Sequence, residues 1–484
     1  MNVFDIFKDR AGQQPEHPAI ISGGITFTYA GLLKEIESKA EILSKSGIQK
    51  GSCLGIHLTN CPEYIIMTYA GWMLGACIVP VASEMTPEEK LHLCGTIALD
   101  AVVSRSRDSQ LFDPVRKNET IDLSNGLNLI PIRKSRQHPE GFHGINPAFL
   151  RFTSGTTGNA KGVVISHESI KDRIHAANRV LNIGPDDKVL WLLSMAYHFT
   201  VSIVSYLSFG ATIVLSAGFL GEIIIKALQN MKCTIIYASP THYQLMSNTG
   251  AADLSGLRLA VSTTSGLASE IADRFYQLFH VPLSQAYGII EVGLPFINVD
   301  NPVGKSKSVG RILPDFQVLL EDRGMGENLK TIKLRGKGFF DAYYEPWSLR
   351  ADCLKDGWFD TGDFGIIDNE GFLFITGRSK EMINLAGMKF FPKEVEEVLE
   401  KHPAVEEAYV FPHSKKPFEE VPHAHIVIRK NAMTNMSGEK LEAELAEHCA
   451  RHVSQYKIPE KFIFVDKLPR TASGKLIRRG QDKS

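Results

Sequence analysis

Apolar and polar positions follow two alternating patterns along the chain. Short, nearly continuous apolar runs rich in β-branched residues predict buried strands, and the stretches between them have the length and period of helices. Strands are predicted at residues 149–153, 189–193, 212–215, 234–238 and 257–262, and helices at 28–46, 167–181, 220–231 and 269–279. Strands that are apolar on both faces are typical of parallel sheets covered by helices, so the pattern favours an α/β fold.

The pattern changes after residue 300, where the chain becomes rich in Gly and Asp. Short strands are predicted at residues 316–321, 331–334 and 371–376. Beyond Pro392, helices at 394–401 and 437–452 and strands at 408–411, 425–428 and 462–465 predict a small α+β unit. We therefore predict a large N-terminal domain, residues 1–379, with several subdomains and parallel-rich αβα sheets. A smaller α+β domain, residues 380–484, would follow it.

Composition excludes several classes of protein. The 484 residues carry 53 Lys and Arg against 54 Asp and Glu, so no basic surface for nucleic acid or an anionic membrane is indicated. Apolar residues make up 44%, too many for a disordered chain. Seven scattered cysteines without a CxxC pair indicate free thiols in a reducing compartment. With neither a signal-peptide pattern nor an unbroken apolar span, we expect a cytoplasmic enzyme without an integral membrane segment.

The most informative segment is Arg-Phe-Thr-Ser-Gly-Thr-Thr-Gly-Asn-Ala-Lys-Gly-Val-Val at residues 151–164. Its glycines free the backbone N–H groups, its hydroxyls add donors, and Lys161 adds positive charge, which together predict a cradle for a polyphosphate. The segment is not a P-loop, because Gly162 stands where that motif requires Ser or Thr. A second near match at residues 473–476 fails in the same way at Leu476.

Four further motifs follow the loop at 153–162. They are Gln-Ala-Tyr-Gly-Ile-Ile-Glu at 285–291, Trp-Phe-Asp-Thr-Gly-Asp at 358–363, Thr-Gly-Arg-Ser-Lys-Glu at 376–381 and Pro-Arg-Thr-Ala-Ser-Gly-Lys at 469–475. In this order, the five motifs resemble those of the adenylate-forming superfamily, which includes acyl-CoA synthetases, luciferases and peptide-synthetase adenylation domains. Each motif alone is weak, but the ordered set is specific and covers essentially the whole chain. The resemblance implies that ATP and Mg²⁺ activate a carboxylic acid to an acyl-adenylate, with release of pyrophosphate.

The resemblance also assigns an ATP site. Tyr287, with Gly288 beside it, would contact adenine. Asp363 and Arg378 would contact the ribose. The phosphates would be bound by Thr153, Ser154, Gly155, Thr156, Thr157, Gly158 and Lys161.

Four further roles follow from the same resemblance. Glu291 would bind Mg²⁺ through hard carboxylate oxygens, and Lys475 would stabilise charge between the acid and the phosphate. Lys380 would be the hinge about which a mobile C-terminal domain rotates between the two half-reactions. Gly387 would then face the acceptor's thiol arm, where the lack of a Cβ suits close approach, although a simple turn glycine is an equal alternative.

The chain departs from the family pattern at four places. Ala160 replaces a Pro in the phosphate loop, and Ile290 replaces a Thr, which removes a hydroxyl near the metal. Thr-Thr-Ser-Gly at 263–266 stands where a Gly-Ala-Pro-like stretch lines the adenine and acyl pocket, and Asn384 replaces a frequent Lys after the hinge. None of these changes removes a core charge, so activity is still expected.

The acid pocket is expected around three segments, residues 197–200, 264–267 and 289–295. Tyr197, Phe199, Ile289 and Leu294 are its candidate lining residues, and His198 is a third catalytic candidate with a packed gate residue as the alternative. Amino-acid-activating relatives have an Asp at the position of His198. A buried ammonium would here lack a counter-charge, which costs several kcal/mol. The apolar surroundings therefore favour a lipophilic acid, fatty or aryl, and fatty acid metabolism is one expected setting.

The acceptor is less defined. Coenzyme A is expected, and the phosphopantetheine thiol of an acyl carrier protein is the alternative. Amino-acid-type adenylation, a luciferase-like oxygenase and a non-catalytic binding protein remain as further alternatives. Loss of Glu291 or Lys475 would have indicated a non-catalytic binding protein, and both residues are present.

Overall fold

Strands and helices alternate in the predicted order in a computed structural model, which describes residues 1–152, 161–322, 330–385, 388–415, 418–429, 438–470 and 476. The chain divides into two units. The first comprises Met1–Gln317 and Arg335–Gly357, and the second comprises Val318–Leu334 and Trp358–Ser484. Within the described ranges, the structure contains no helix with the length and apolar character needed to span a membrane.

The strands and helices are numbered in chain order. The strands up to residue 312 are β1 (Pro18–Ser22), β2 (Ile25–Thr28), β3 (Cys53–His57), β4 (Cys77–Pro80), β5 (Ala101–Arg105), β6 (Ile121–Asp122), β7 (Leu127–Pro131), β8 (Pro147–Phe152), β9 (Gly162–Ser166), β10 (Lys188–Trp191), β11 (Thr212–Leu215), β12 (Ile235–Ala238), β13 (Leu259–Ser262), β14 (Leu283–Ile289), β15 (Gly293–Ile297) and β16 (Arg311–Ile312). The later strands are β17 (Phe316–Asp322), β18 (Lys330–Gly336), β19 (Ala342–Tyr344), β20 (Trp347–Leu349), β21 (Phe359–Ile367), β22 (Leu373–Arg378), β23 (Ile383–Leu385), β24 (Met388–Phe390), β25 (Val405–Lys415), β26 (Phe418–Ile428) and β27 (Lys461–Phe464). The helices are α1 (Val3–Gln13), α2 (Tyr29–Lys45), α3 (Pro62–Met73), α4 (Pro87–Thr96), α5 (His167–Leu181), α6 (Met195–His198), α7 (Val204–Phe209), α8 (Gly221–Asn230), α9 (Pro240–Ser247), α10 (Ser269–Phe279), α11 (Arg350–Cys353), α12 (Pro392–Leu399) and α13 (Gly438–Ala450).

Two nine-stranded sheets form the first unit. One has the order β16-β15-β14-β13-β12-β10-β11-β1-β2, and its strands from β14 to β1 are parallel. The other has the order β20-β19-β9-β8-β4-β3-β5-β7-β6, with β8, β4, β3 and β5 parallel at its centre. This arrangement confirms the predicted α/β class with parallel-rich sheets. Ligands in such sheets bind beyond the carboxyl ends of the strands, and the segment at residues 285–291 spans the carboxyl end of β14.

Helix α5 shows how the local sequence positions these sheets. Its first residue follows β9 directly, and the Ser166 side chain accepts a hydrogen bond from Ser169 N at 3.0 Å, which caps the helix. Ile170, Ile174 and Leu181 are buried on one face, as expected for a period of 3.6 residues. The observed bounds, His167–Leu181, match the predicted range.

The second unit contains a four-stranded sheet, β17-β18-β21-β22, the hairpin β23–β24 and a three-stranded sheet, β25-β26-β27. Helices α12 and α13 pack on the three-stranded sheet around a core that includes Val395, Leu445 and Ile426. This part has the predicted α+β composition. The predicted domain boundary at residues 379 and 380 lies inside this unit, between β22 and β23, and stays a prediction.

Candidate functional site

The phosphate-loop segment joins two neighbouring antiparallel strands of the second nine-stranded sheet. β8 ends at Phe152, β9 begins at Gly162, and these two residues pair across the ladder. A Cβ on Gly162 would lie 2.8 Å from the Phe152 ring and 2.9 Å from Cβ of Tyr344, so the position requires glycine. Lys161 is exposed at the end of the loop. The predicted phosphate-binding residues Thr153, Ser154, Gly155, Thr156, Thr157 and Gly158 lie outside the described residues.

A tight turn between β14 and β15 carries Glu291. Val292 N donates to the carbonyl of Ile289 at 3.1 Å and closes the turn. A Cβ on Gly288 would lie 2.2 Å from the carbonyl oxygen of Gly293, so only glycine fits there. The structure thus gives a steric reason for Gly288 in the motif. Tyr287 precedes it, half-buried, with its ring centroid 6.2 Å from that of Phe296.

Glu291 and Lys161 are brought to the same side chain, Tyr343. The Tyr343 hydroxyl donates to Oε1 of Glu291 at 3.3 Å. The Nζ atom of Lys161 lies 4.5 Å from the centroid of the Tyr343 ring, a cation–π contact. One tyrosine therefore contacts two charged groups. Its hydroxyl binds a carboxylate, which suits a cation, and its ring binds an ammonium, which suits phosphate. The sequence did not predict a role for Tyr343.

Arg173 of α5 is a second residue that the sequence did not reveal. It is 1% exposed, and its Nη2 atom donates to the carbonyl oxygen of Glu291 at 3.1 Å while Nε donates to the carbonyl of Gly338. Burial lowers the pKa of this guanidinium to about 10. The arginine thus ties the turn that carries Glu291 to the segment before β19. In the sequence, Arg173 stands out only as a charged residue within the apolar face of α5.

His198 lies at the end of α6 and is half-buried. Its ring is edge-on to Trp191 and Tyr237, with centroids 6.4 Å and 6.5 Å away. Trp191 and Tyr237 are paired residues on β10 and β12 and stack at 6.0 Å. A π-helical turn, Phe199–Ile203, follows His198 directly, and such turns occur often at functional sites. The three rings form an aromatic wall at the carboxyl ends of the strands.

The candidate acid-pocket residues have different surroundings. Ile289 is half-buried at the end of β14, and Leu294 is 5% exposed on β15. Phe199 is 1% exposed and lies edge-on to Trp72 with centroids 5.8 Å apart, so its ring is part of the core around α3. Tyr197 is half-buried, and burial raises the pKa of its hydroxyl to about 12. The role of these residues in the pocket stays a prediction.

Arg151 connects the start of the phosphate loop to the predicted acid pocket. Its Nη1 atom donates to the carbonyl oxygen of Tyr197, and its Cζ atom lies 5.8 Å from the centroid of that ring. Burial lowers the pKa of the Arg151 guanidinium, and the negative charge of Glu291 opposes this effect. With Lys161 and Arg173, Arg151 makes the surroundings of Glu291 rich in positive charge.

The altered stretch at residues 263–266 follows β13. Thr264 has a φ of +79°, a left-handed conformation that a β-branched residue rarely adopts. Gln285, in the neighbouring strand β14, is 7% exposed, and its Oε1 atom receives no hydrogen bond from the part of the chain that the structure describes. The strained residue thus follows β13, and the unsatisfied acceptor lies on the neighbouring strand β14, two residues before Tyr287.

In the second unit, Asp363 and Arg378 face each other on β21 and β22. Nε of Arg378 lies 2.6 Å from Oδ1 of Asp363, whose side chain is 2% exposed. The structure thus brings together the two residues assigned to the ribose. The backbone of Lys380 lies in a short 3₁₀ turn, Ser379–Glu381. Gly387 and Lys475 lie outside the described residues, so their predicted roles remain predictions.

Comparison with known families gives two matches. The sequence model of the AMP-binding enzyme family matches residues 7–344, and that of the AMP-binding enzyme C-terminal domain matches residues 394–475. The first match alone includes β1–β16 and the turn that carries Glu291.

Individual relatives match over nearly their full length. The 2-succinylbenzoate–CoA ligase of Bacillus licheniformis is 28% identical over 97% of this chain and 98% of that protein. The indoleacetate–CoA ligase of Aromatoleum aromaticum is 27% identical over 96% of this chain and 94% of that protein.

Solved structures show the same likeness. An o-succinylbenzoate CoA synthetase from Bacillus subtilis, solved with its acyl-adenylate intermediate, has a TM-score of 0.85 and 26% identity over 100% of this chain and 98% of that chain. The same enzyme solved with ATP and a magnesium ion has a TM-score of 0.83 and 26% identity, with 98% of each chain covered.

Proposed function

This chain belongs to the AMP-binding enzyme family, and on that premise we propose that it is an AMP-forming acid–CoA ligase. ATP and a carboxylic acid first give an acyl-adenylate and pyrophosphate. The thiol of coenzyme A then attacks the acyl carbonyl and displaces AMP, which leaves a thioester. The named CoA ligases among the relatives, and the structures solved with ATP, magnesium and an acyl-adenylate, support both steps.

One observation carries the proposal for the first step: the Glu291 carboxylate and the Lys161 ammonium both contact Tyr343. Adenylation moves negative charge onto the departing pyrophosphate, and cations fixed in advance near that charge lower the barrier. Lys161, at the end of the phosphate loop, would meet this charge directly. The guanidinium of Arg173 would keep the Glu291 turn in place, since it binds that backbone carbonyl.

The residues around Glu291 fit a magnesium ion. Mg²⁺ in nucleotide sites is bound by one or two carboxylates together with substrate phosphates. Oε1 of Glu291 accepts one hydrogen bond from Tyr343, and within the described ranges the structure records no donor to Oε2. Glu291 would therefore hold the ion, which when bound supplies charge neutralisation at the phosphates.

The acid is proposed to be lipophilic and to carry an aromatic ring. The half-buried ring of His198 lies edge-on to the buried rings of Trp191 and Tyr237, and such an aromatic environment suits pairing with a substrate ring. His198 supplies no counter-charge for an α-ammonium group, which disfavours free amino acids. Relatives named for succinylbenzoate and indoleacetate support an aryl acid over a fatty acid.

Coenzyme A is proposed as the acceptor, with a carrier-protein thiol as the alternative outcome of the test below. The cytoplasm is the proposed location. The seven free cysteines support it, since thiols persist in a reducing compartment.

The test is carboxylate-dependent exchange of pyrophosphate into ATP, measured with aryl acids, fatty acids and free amino acids. Aryl acids should support exchange most strongly, and an active acid should then give a thioester with coenzyme A faster than with a holo carrier protein. Absence of exchange with every acid would refute adenylation. Exchange with amino acids alone would refute the proposed substrate class, and thioester formation only on the carrier protein would refute the proposed acceptor.

The residue assignment is tested with Glu291→Gln, which keeps the shape of the side chain and removes its charge. We expect a loss of about a hundredfold in the exchange rate, the size typical of removing one electrostatic group. Glu270→Gln is the matched control, since Glu270 is an exposed residue in the first turn of α10. Equal rates for the two variants would contradict the role of Glu291.

A further inference from the structure

We propose that Tyr343 is a positioning residue that fixes the Glu291 carboxylate and the Lys161 ammonium relative to each other. The inference rests on the proposed function, since it concerns how the ATP and magnesium site is held. Two separate contacts of one side chain carry it: the hydroxyl binds the carboxylate, and the ring binds the ammonium.

Strand register places Tyr343 beside the end of the phosphate loop. β19 pairs antiparallel with β9, and Tyr343 lies opposite Val163, two residues after Lys161. The same segment reaches the Glu291 turn through its backbone, because Phe340 N donates to the carbonyl oxygen of Glu291 at 2.7 Å. One short stretch of chain therefore contacts both motifs, which are more than a hundred residues apart in the sequence.

The hydroxyl of Tyr343 is the donor in the hydrogen bond to Glu291, because an ionised carboxylate can only accept. The residue is 9% exposed, and little water competes for the 3.3 Å contact. A hydrogen bond to a charged acceptor in such surroundings is stronger than one between neutral groups. The bond directs Oε1 of Glu291 towards Tyr343 and restricts the rotation of its carboxylate.

The ring of Tyr343 is itself held in place. The Phe340 ring packs against it, with centroids 4.6 Å apart and planes tilted by 44°. Lys161, in contrast, is a long side chain that is exposed at the loop end. It loses rotamer freedom when it binds phosphate. Contact with an ordered ring restricts its ammonium before the nucleotide arrives. Tyr343 thereby lowers the cost of organising both charged groups.

Tyr344 provides a matched control on the same strand. Its side chain points to the other face of the sheet, where its hydroxyl donates a bond to or accepts one from His138 Nδ1 at 3.1 Å and accepts one from Ala98 N at 3.3 Å. It is 1% exposed. Tyr344→Phe therefore removes a buried hydroxyl with two partners from the next residue, without touching Glu291 or Lys161.

The experiment measures ATP binding by calorimetry over a range of Mg²⁺ concentrations, together with kcat and KM for exchange. Tyr343→Phe should raise the Mg²⁺ concentration for half-maximal ATP affinity by about tenfold, because the carboxylate loses its donor. It should leave ATP binding without Mg²⁺ near the wild-type value. Tyr343→Leu should in addition weaken magnesium-free ATP binding roughly threefold, because Lys161 loses the ring. Tyr344→Phe should change neither quantity.

Several outcomes would overturn the inference. These are an unchanged magnesium dependence in Tyr343→Phe, an equal shift in Tyr344→Phe, or a Tyr343→Phe protein that no longer folds, which would make the hydroxyl a stability element. A double variant adds a sharper criterion: once Glu291→Gln is present, Tyr343→Phe should cause no further shift. If the wild-type protein neither binds Mg-ATP nor supports exchange, the proposed function itself fails. If the wild-type protein binds Mg-ATP and Tyr343→Phe shows the same magnesium dependence, only the positioning role is refuted.

Discussion

Arg378 lies directly opposite Asp363 on neighbouring antiparallel strands, with its Nε atom 2.6 Å from Oδ1 of Asp363. The aspartate side chain is 2% exposed and the arginine side chain 54% exposed. A carboxylate removed from water needs a partner of opposite charge, and Arg378 supplies it from the solvent side. The two residues assigned to the ribose are therefore coupled, and a change in one alters the surroundings of the other.

Arg378→Gln should destabilise the protein and weaken AMP binding together. Removal of the guanidinium takes away the charged group that lies 2.6 Å from the buried Asp363 carboxylate, and the expected loss is roughly 1–3 kcal/mol in the free energy of unfolding. In the double variant with Asp363→Asn, the unfolding cost should be smaller than the sum of the single costs. Urea titration measures the cycle, and calorimetry with AMP measures binding. Additive costs would show that the pair is not coupled.

Gly288→Ala should damage the Glu291 turn. A Cβ at this position would lie 2.2 Å from the carbonyl oxygen of Gly293, and a backbone atom cannot yield as a flexible side chain does. We expect a loss of stability of about 1–3 kcal/mol and a fall in exchange activity through displacement of Glu291. Gly12→Ala in α1 is the control, since a Cβ there meets nothing within 4 Å. It should stabilise the helix by up to about 1 kcal/mol. Wild-type exchange rates in Gly288→Ala would contradict the steric assignment.

Much of the fold could be predicted from local patterns. The bounds of α5 and α10 follow from periodic apolar positions, which reflect burial of one helix face. The hairpin β25–β26 is longer than the predicted segments at 408–411 and 425–428, because its strands continue beyond the apolar residues that mark the core. Strand pairing supplies hydrogen bonds to polar positions as well as apolar ones, so hydrophobicity alone underestimates such strands.

The site was predictable only as a set of motifs. Glu291 and Lys161 stand out in the sequence, but their common partner Tyr343 does not, because the contact depends on the pairing of β19 with β9. The same holds for Arg173, which binds a carbonyl 118 residues away in sequence. Contacts of this range depend on sheet order, and no local period encodes them.

Thr264→Gly should stabilise the protein. Thr264 has a φ of +79°, where its branched Cβ crowds the backbone, and glycine adopts this conformation without that cost. We expect a gain of roughly 1 kcal/mol in the free energy of unfolding. The control is Thr263→Gly, because residue 263 is 9% exposed and has no left-handed φ, so glycine there should destabilise. Urea titration of both variants checks the opposite signs, and a loss of stability in Thr264→Gly would contradict the assigned strain.

Acid should destabilise the protein in part through His167. This histidine is 2% exposed, and its Nδ1 atom accepts a hydrogen bond from Val3 N at 3.1 Å, which requires the ring nitrogen to be unprotonated. Burial lowers the pKa of His167 from 6.5 to about 4. Between these values the unfolded chain binds the proton and the folded chain does not, so this contribution to stability is complete above pH 6.5 and is lost as the pH falls towards 4. The full loss amounts to about 3 kcal/mol.

His167→Asn keeps an acceptor and does not titrate, so its free energy of unfolding should depend less steeply on pH over this interval than that of the wild type. His280→Asn is the control, because His280 is exposed at the end of α10 with a φ of +56°, a conformation that Asn tolerates. Urea titrations at pH 7, 6, 5 and 4 measure the slopes, and parallel curves for His167→Asn and the wild type would exclude His167 as a source of the acid sensitivity.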